Sequence, residues 1–240
     1  MAYLPNEPVT FTGGCHCRAI RYKISVPALE NRPQIPGIPD TIIQDTTEDG
    51  KNVKRKVPTA CPFVLVDHCG ICRHVAGTPL QFWFVTLTRW VGWTLEPRYA
   101  EGKNSSGERI VKPAFNLSST DVCGPDAVTK NIVASTYLSQ YSSSPEVTRT
   151  FCSRCGTNLS YKSSNFEIDG EPVMDIAVGS FDDESLSRVQ PERHMWWNSG
   201  IGWVKDLLRS DGKVCMKHPT GSPFELVKEN EGEGEEEGTL

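Results

Sequence analysis

The chain has 240 residues, of which 38% are hydrophobic, and a formal net charge of −5, so it is long enough for one domain with insertions or for two. No apolar run approaches the roughly 20 residues of a membrane-spanning helix, and the N-terminal segment lacks the basic and apolar stretches of a secretory signal, so we expect a soluble, cytoplasmic protein. The nine cysteines then predict metal binding rather than a disulfide framework, because disulfides persist mainly in secreted proteins.

The N-terminal half of the chain reads as strands separated by polar sequence. Apolar and polar side chains alternate within residues 11–26, which is typical of a half-buried strand. Residues 30–60 are rich in Pro, Asp, Thr and Lys without a sustained period, and we expect a surface excursion there. The aromatic and β-branched residues of 82–94 predict a strand or a hairpin.

The C-terminal half continues this pattern. A second polar excursion, roughly 99–131, precedes the predicted strand "NIVASTYLSQY" at 131–141. The segment 173–183 predicts a strand followed by a turn, and 191–208 is the best place for a short helix. The sequence therefore predicts a mainly β protein with little helix.

One domain over residues 11–228 is the organisation that we expect, with a short N-terminal extension at 1–10 and insertions near 30–60 and 99–131. The tail, 229–240, carries six Glu and no Lys or Arg, so it is too charged and too poor in apolar groups to fold alone. Without the tail the chain carries a net charge of about +1, since −5 plus 6 is +1.

Two close pairs of cysteines lie far apart in the sequence: Cys15 with Cys17, and Cys152 with Cys155. Zinc in structural sites takes four tetrahedral ligands, and two thiolate pairs on tight turns supply them. A redox dithiol at the second pair is chemically reasonable, but it would leave the first pair unexplained. The spacing therefore favours a closed, structural zinc site.

A third group combines Asp67 with Cys69 and Cys72. Three protein ligands leave the fourth zinc position open, as in catalytic sites. His68 is a competing ligand, but adjacent residues in an extended segment point to opposite sides, so we prefer Asp67. The alternative is a structural turn whose thiols remain reduced and free of metal.

Other side chains near these motifs have two interpretations each. Arg73 is placed to bind a substrate carboxylate or is a solvated surface arginine. His194 is a substrate-binding acid or base or a hydrogen-bonded structural histidine. Trp196 and Trp197 are expected in the core rather than on a ligand platform.

The chain resembles the glutathione-dependent formaldehyde-activating enzyme family, which includes centromere protein V. The resemblance covers most of 11–209 and is specific because five motifs occur in order. These are "GGCHCRAIRY" at 13–22, "HCGICRHVAG" at 68–77, "RTFCSRCGTNL" at 149–159, "GSFDD" at 179–183 and "PERHMWWNSGIGW" at 191–203.

The resemblance implies a twisted multi-sheet β fold built around a structural zinc, held by Cys15, Cys17, Cys152 and Cys155. It also implies a second zinc, which the family holds with a Cys-x-Cys-x-x-Cys run. Here Asp67 occupies the first place of that run. A carboxylate keeps the ligand charge but is harder than a thiolate, so zinc should bind less tightly and be a stronger Lewis acid. The exchange is equally compatible with a lost site.

The leading functional hypothesis is a zinc-dependent lyase or synthase acting on a small electrophilic substrate, a carbonyl compound or a glutathione adduct, by carbon–sulfur bond chemistry. Glutathione is then a co-substrate. A second hypothesis is a glutathione-independent tailoring enzyme that catalyses elimination, hydration or rearrangement of a larger metabolite, since long insertions reshape pockets. A third is a non-catalytic zinc-stabilised binding module. The near-neutral body argues against nucleic acid as its partner, despite "KNVKRK" at 51–56.

Overall fold

A computed structural model describes most of the chain, and its element content is mainly β, as predicted. The residues described are 4–35, 37–46, 49, 51–98, 101–103, 106, 109–209, 216–222 and 224–226. The predicted disordered tail lies outside them. Every helix within the described residues is too short or too polar to traverse a lipid bilayer.

Strands account for most of the regular structure. They are β1 (Val9–Gly14), β2 (Ile20–Val26), β3 (Thr41–Thr46), β4 (Asn52–Val57), β5 (Phe63–Asp67), β6 (Gln81–Leu87), β7 (Val91–Leu95), β8 (Glu101–Lys103), β9 (Arg109–Val111), β10 (Phe115–Ser118), β11 (Leu138–Ser144), β12 (Val147–Cys152), β13 (Asn158–Ser163), β14 (Glu167–Ile168), β15 (Glu171–Ala177), β16 (Arg193–Met195) and β17 (Met216–Lys217). The α-helices are α1 (Gly70–Ala76), α2 (Ser119–Cys123), α3 (Ala127–Ser135), α4 (Asp183–Leu186) and α5 (Gly202–Arg209).

The strands form two main sheets. The smaller sheet has the order β1-β2-β7-β10 and is antiparallel throughout. The larger sheet has the order β11-β12-β13-β15-β6-β5-β16-β17, with β14 beside β15. In the larger sheet β16 runs parallel to both of its neighbours, and the other pairs are antiparallel. The aromatic run predicted as one strand or hairpin is thus two strands, β6 and β7, which belong to different sheets.

One face of the larger sheet packs against the smaller sheet in the main apolar core. Phe84 and Ile176 lie on that face and are fully buried. They pack with Phe11 and Trp93 of the smaller sheet. The opposite face of the larger sheet carries a second cluster around Trp83. Because side chains alternate along a strand, neighbouring residues of the same strand serve different clusters.

The predicted excursions contain regular structure of their own. Strands β3 and β4 pair as a hairpin within the first excursion, and β8 and β9 pair within the second. The predicted strand at 131–141 is wrong in its first part, because α3 extends to Ser135 and strand β11 begins only at Leu138. Asp126 caps α3 by accepting a hydrogen bond from the Thr129 N–H, a local signal that stabilises a helix start.

The predicted short helix at 191–208 is also only partly correct. Its first residues form strand β16, and the helix α5 occupies Gly202–Arg209. Strand β16 inserts between β5 and β17, so pairing with β5 on one side and β17 on the other determines the conformation of this short segment.

Candidate functional site

The two predicted cysteine pairs come together in space. Cys15 follows β1, and Cys152 ends β12. Their sulfur atoms and those of Cys17 and Cys155, four in all, lie within 4.8 Å of one another. The Sγ atoms of Cys15 and Cys17 are 3.5 Å apart, and those of Cys17 and Cys152 are 3.7 Å apart. We call these four residues the closed centre.

The electrostatics of the closed centre suit a bound cation. Burial raises the pKa of the Cys15 thiol and of the Cys152 thiol. Burial also raises the pKa of Cys155, but hydrogen bonds from the Thr157 hydroxyl and from the N–H groups of Thr157 and Cys17 outweigh it, and the pKa falls to about 6. A cation would stabilise the remaining thiolates against burial, and four sulfur donors at this separation fit tetrahedral zinc.

The predicted third group also converges. Asp67 is the last residue of β5, Cys69 precedes α1, and Cys72 lies in the first turn of that helix. One carboxylate oxygen and the two sulfur atoms lie within 4.8 Å of one another. We call these three residues the open centre, because they offer three ligands where zinc takes four.

The carboxylate of the open centre is held by two donors. Asp67 Oδ1 accepts a hydrogen bond from the Cys69 N–H at 2.8 Å, and Oδ2 accepts one from Trp83 Nε1 at 3.1 Å. The second donor is buried on the neighbouring strand β6. These bonds orient the carboxylate as outer-shell groups orient metal ligands.

His68, the competing ligand, lies outside both groups of converging ligand atoms. It is buried, and its Nε2 lies 3.0 Å from His194 Nδ1. Both rings pack edge-on against Trp197. Burial, with a smaller effect from the charge of Lys205, lowers the pKa of His68 to about 4. This geometry supports the structural interpretation of His194.

Neither predicted substrate-binding residue faces the cavity beside the open centre. Arg73 lies on α1 and is half-buried. Of the described residues, the cavity walls include neither Arg73 nor His194. Their predicted contact with substrate therefore has no geometric support in this structure.

The open centre lies on the wall of a cavity of about 500 Å³. Its floor is the face of the larger sheet that points away from the main core. A single row of paired residues crosses five strands of this face. The row runs Arg149, Tyr161, Asp175, Val85 and Phe63, and all five line the cavity.

Arg149 connects this row to the open centre. Its side chain is buried, its Nη2 donates to Cys72 Sγ at 3.2 Å, and its Nε donates to Ser143 Oγ at 2.9 Å. The guanidinium carbon lies 4.8 Å from the centre of the Tyr161 ring. A hydrogen bond from a cation to a sulfur atom withdraws electron density from it, so Arg149 would weaken the electron donation of Cys72 to a bound metal ion.

Asp175 places a carboxyl group in the same row. Burial, with the negative charge of Asp67, raises the pKa of Asp175 to about 8 against the opposing effect of Arg149. The sequence analysis did not single out Asp175, Arg149 or Tyr161. A usable signal was present for Asp175, since it is the one charged residue in the otherwise apolar run "VMDIA" at 173–177.

The two tryptophans differ in position. Trp197 is buried, as expected, but the expectation for Trp196 is wrong, because 40% of it is exposed and it lines the cavity. Its backbone adopts a left-handed conformation with φ of 57°. Gly221 packs against its indole, and a Cβ at that position would come within 2.5 Å of the ring, so the glycine makes room for this wall of the cavity.

The described residues define a mainly β protein with two groups of side chains that could hold metal ions, of which the open centre adjoins a cavity the size of a small-molecule site. A sequence model of the family described as glutathione-dependent formaldehyde-activating enzyme matches residues 114–199, which confirms the family resemblance. The match includes the second cysteine pair, Arg149 and Asp175. No curated protein matches this chain.

Proposed function

We propose that this protein is a zinc-dependent lyase or synthase acting on a small electrophilic substrate, with the second zinc held by Asp67, Cys69 and Cys72. The observation that carries the proposal is the convergence of these three ligand atoms on the wall of the cavity. When bound, zinc would supply Lewis-acid chemistry at its open coordination position.

The residues around the open centre supply positioning and proton transfer. Trp83 fixes the plane of the Asp67 carboxylate through its indole N–H. Arg149 holds Cys72 through its Nη2. Asp175 carries its proton near neutral pH, because its pKa is raised to about 8, and a protonated carboxyl facing the cavity can act as a general acid.

The aromatic cavity specifically favours a second candidate function, the glutathione-independent tailoring enzyme. Arg149 is the one cationic side chain among the described residues that line the cavity. Glutathione carries two carboxylates, so at least one of them would have no cationic side chain of the cavity to bind. Phe63, Trp83, Phe166 and Phe224 instead offer apolar contacts. Activity that requires zinc but is unchanged when glutathione is omitted would select this candidate.

The first test is metal content per chain in wild type, in Asp67→Ala and in the control Asp40→Ala, whose side chain is exposed and belongs to neither centre. We expect about two zinc ions in wild type and in the control, and about one in Asp67→Ala, since the open centre then has only two of its three ligands. Turnover of a panel of aldehydes and glutathione adducts is then measured with each protein.

About one zinc ion in all three proteins, with no second ion after added zinc, would contradict the proposal. The non-catalytic, zinc-stabilised binding module would then be the better description. Two zinc ions without turnover of any aldehyde or glutathione adduct would remove the glutathione version alone.

A further inference from the structure

Arg149 has one nitrogen for which neither the fold nor the open centre provides a use. The side chain is only 2% exposed, and it lines the cavity. Two of its nitrogens are bonded, Nε to Ser143 and Nη2 to Cys72. The third, Nη1, is buried without a hydrogen-bond partner among the described residues. A buried donor on a cation is costly to leave unpaired, so the guanidinium would gain from a further hydrogen-bond acceptor.

The positive charge of Arg149 is also left without a partner carboxylate. Among the described residues no carboxylate forms an ion pair with it. The two oxygens of Asp67 accept from Cys69 and Trp83 instead. Asp175 is two strands away in the same row, and burial raises its pKa to about 8, so it is largely uncharged at neutral pH. Arg149 is therefore a cation on the cavity wall that no carboxylate of the described residues pairs with.

The guanidinium is held in place before any ligand arrives. It stacks on the Tyr161 ring at 4.8 Å, and Ser143 and Cys72 fix its rotation. A rigid, planar cation loses little conformational freedom on binding, and its geometry matches planar oxyanions such as carboxylates.

The other residues that line the cavity indicate what the remainder of such a ligand is like. Phe63, Trp83, Phe166 and Trp196 line it with aromatic surface. A volume of about 500 Å³ is within the range of small-molecule sites. A flat, apolar ring system fits these walls better than a polar peptide does.

We propose that the cavity recognises a ring-bearing, largely apolar carboxylate, with the Arg149 guanidinium binding the carboxylate group beside the open centre. This inference rests on the proposed function for the reaction that follows binding. Binding itself requires only the cavity and Arg149, and it is measured independently of turnover.

The test compares 2-naphthoate with 2-naphthamide, an uncharged probe of nearly the same shape, by isothermal titration calorimetry at neutral pH. We expect wild type to bind the carboxylate roughly 10- to 100-fold more tightly, the usual effect of a charged hydrogen bond in a buried site. In Arg149→Met this preference should fall to about threefold or less. Arg89→Met should retain it, because Arg89 is an exposed arginine paired with Glu171 outside the cavity.

Arg149→Lys keeps the charge but loses the planar fork, so it should show an intermediate preference. Zinc content and thermal unfolding of each variant show whether the open centre and the fold are intact. The wild-type comparison stands even where a variant fails to fold.

Equal binding of the two probes to wild type, or no binding of either, would overturn the inference. A carboxylate preference that persists in folded Arg149→Met would assign the carboxylate to the open centre and would also overturn it. A clear preference of wild type for the carboxylate probe that is lost in Arg149→Met would support this inference. If the chain then holds only one zinc ion, the proposed function fails independently. Two zinc ions per chain, with no preference for the carboxylate probe, would overturn this inference while the proposed second zinc site stands.

Discussion

The two faces of the larger sheet differ in what their side chains do, although they share the same strands. On one face Phe84 and Ile176 are fully buried against the smaller sheet. On the other, Val85 and Asp175 are their sequence neighbours and line the cavity. Adjacent residues of one strand therefore have different surroundings, since successive side chains point to opposite faces. One packs in the main core and the next lines the cavity.

The largest expected effect comes from the core face. Phe84→Ala should lower the free energy of unfolding by about 3–5 kcal/mol, because its ring packs against Phe11 at 5.2 Å and Phe181 at 5.3 Å. The neighbouring change on the cavity face, Val85→Ala, should cost only about 1–2 kcal/mol, since it removes two methyl groups rather than a ring. Urea unfolding of both variants at equal zinc content makes the comparison. Equal losses would show that the two faces contribute alike to stability.

A smaller effect of opposite sign is expected from Asp175→Asn. The pKa of Asp175 is about 8 in the folded chain and near 3.8 in its ordinary state, so the folded chain retains a proton that the unfolded chain releases. The free energy of unfolding of the wild type should therefore fall between about pH 4 and pH 8. Asparagine does not titrate, so the variant should gain about 1–3 kcal/mol at pH 8, after allowance for partial exposure.

Chemical unfolding at several pH values between 4 and 9 checks this prediction. Asp169→Asn is the control, because its carboxyl is exposed on a turn. If Asp175→Asn has the same pH slope as wild type, the carboxyl is ionised in the cavity and cannot act as the proposed acid.

The smallest effect concerns the positioning residue of the open centre. Trp83→Phe removes the indole N–H that reaches Asp67 Oδ2 but keeps an aromatic ring in the cluster. Zinc affinity at the open centre should fall about tenfold or more, as for other outer-shell groups. The closed centre should keep its ion. Competition with a chelator, followed by zinc analysis, distinguishes the two sites. If wild type and Trp83→Phe retain zinc at the open centre equally well, this hydrogen bond does not position Asp67.

The closed and open centres could be found in the sequence because their ligands lie in short runs. Cys152 and Cys155 are three residues apart, and Asp67 with Cys69 and Cys72 spans one turn. The ligand types and their spacing can therefore be recognised within a short stretch of sequence. Zinc in a structural site takes four ligands, and from this we inferred that Cys15 and Cys17 join Cys152 and Cys155. The separations of the sulfur atoms agree with that inference.

The row of cavity residues could not be found in this way. Arg149, Tyr161 and Asp175 become neighbours only through the register of three strands, which local periodicity does not specify. The helices α2 and α3 were overlooked for a different reason. Polar composition masked the capping box formed by Ser118 and Asp121 at the start of α2, although that pair stabilises a helix start.

Strand β12 bears Arg149 near its middle and ends at Cys152. One end of the strand that presents the guanidinium to the cavity is thus anchored in the closed centre. A metal ion bound there, as we propose, would hold this end of the strand, and its removal would loosen the guanidinium, although Cys152 does not line the cavity. Thermodynamic linkage makes the relation reciprocal: a carboxylate bound at Arg149 would tighten the hold of the closed centre on its ion.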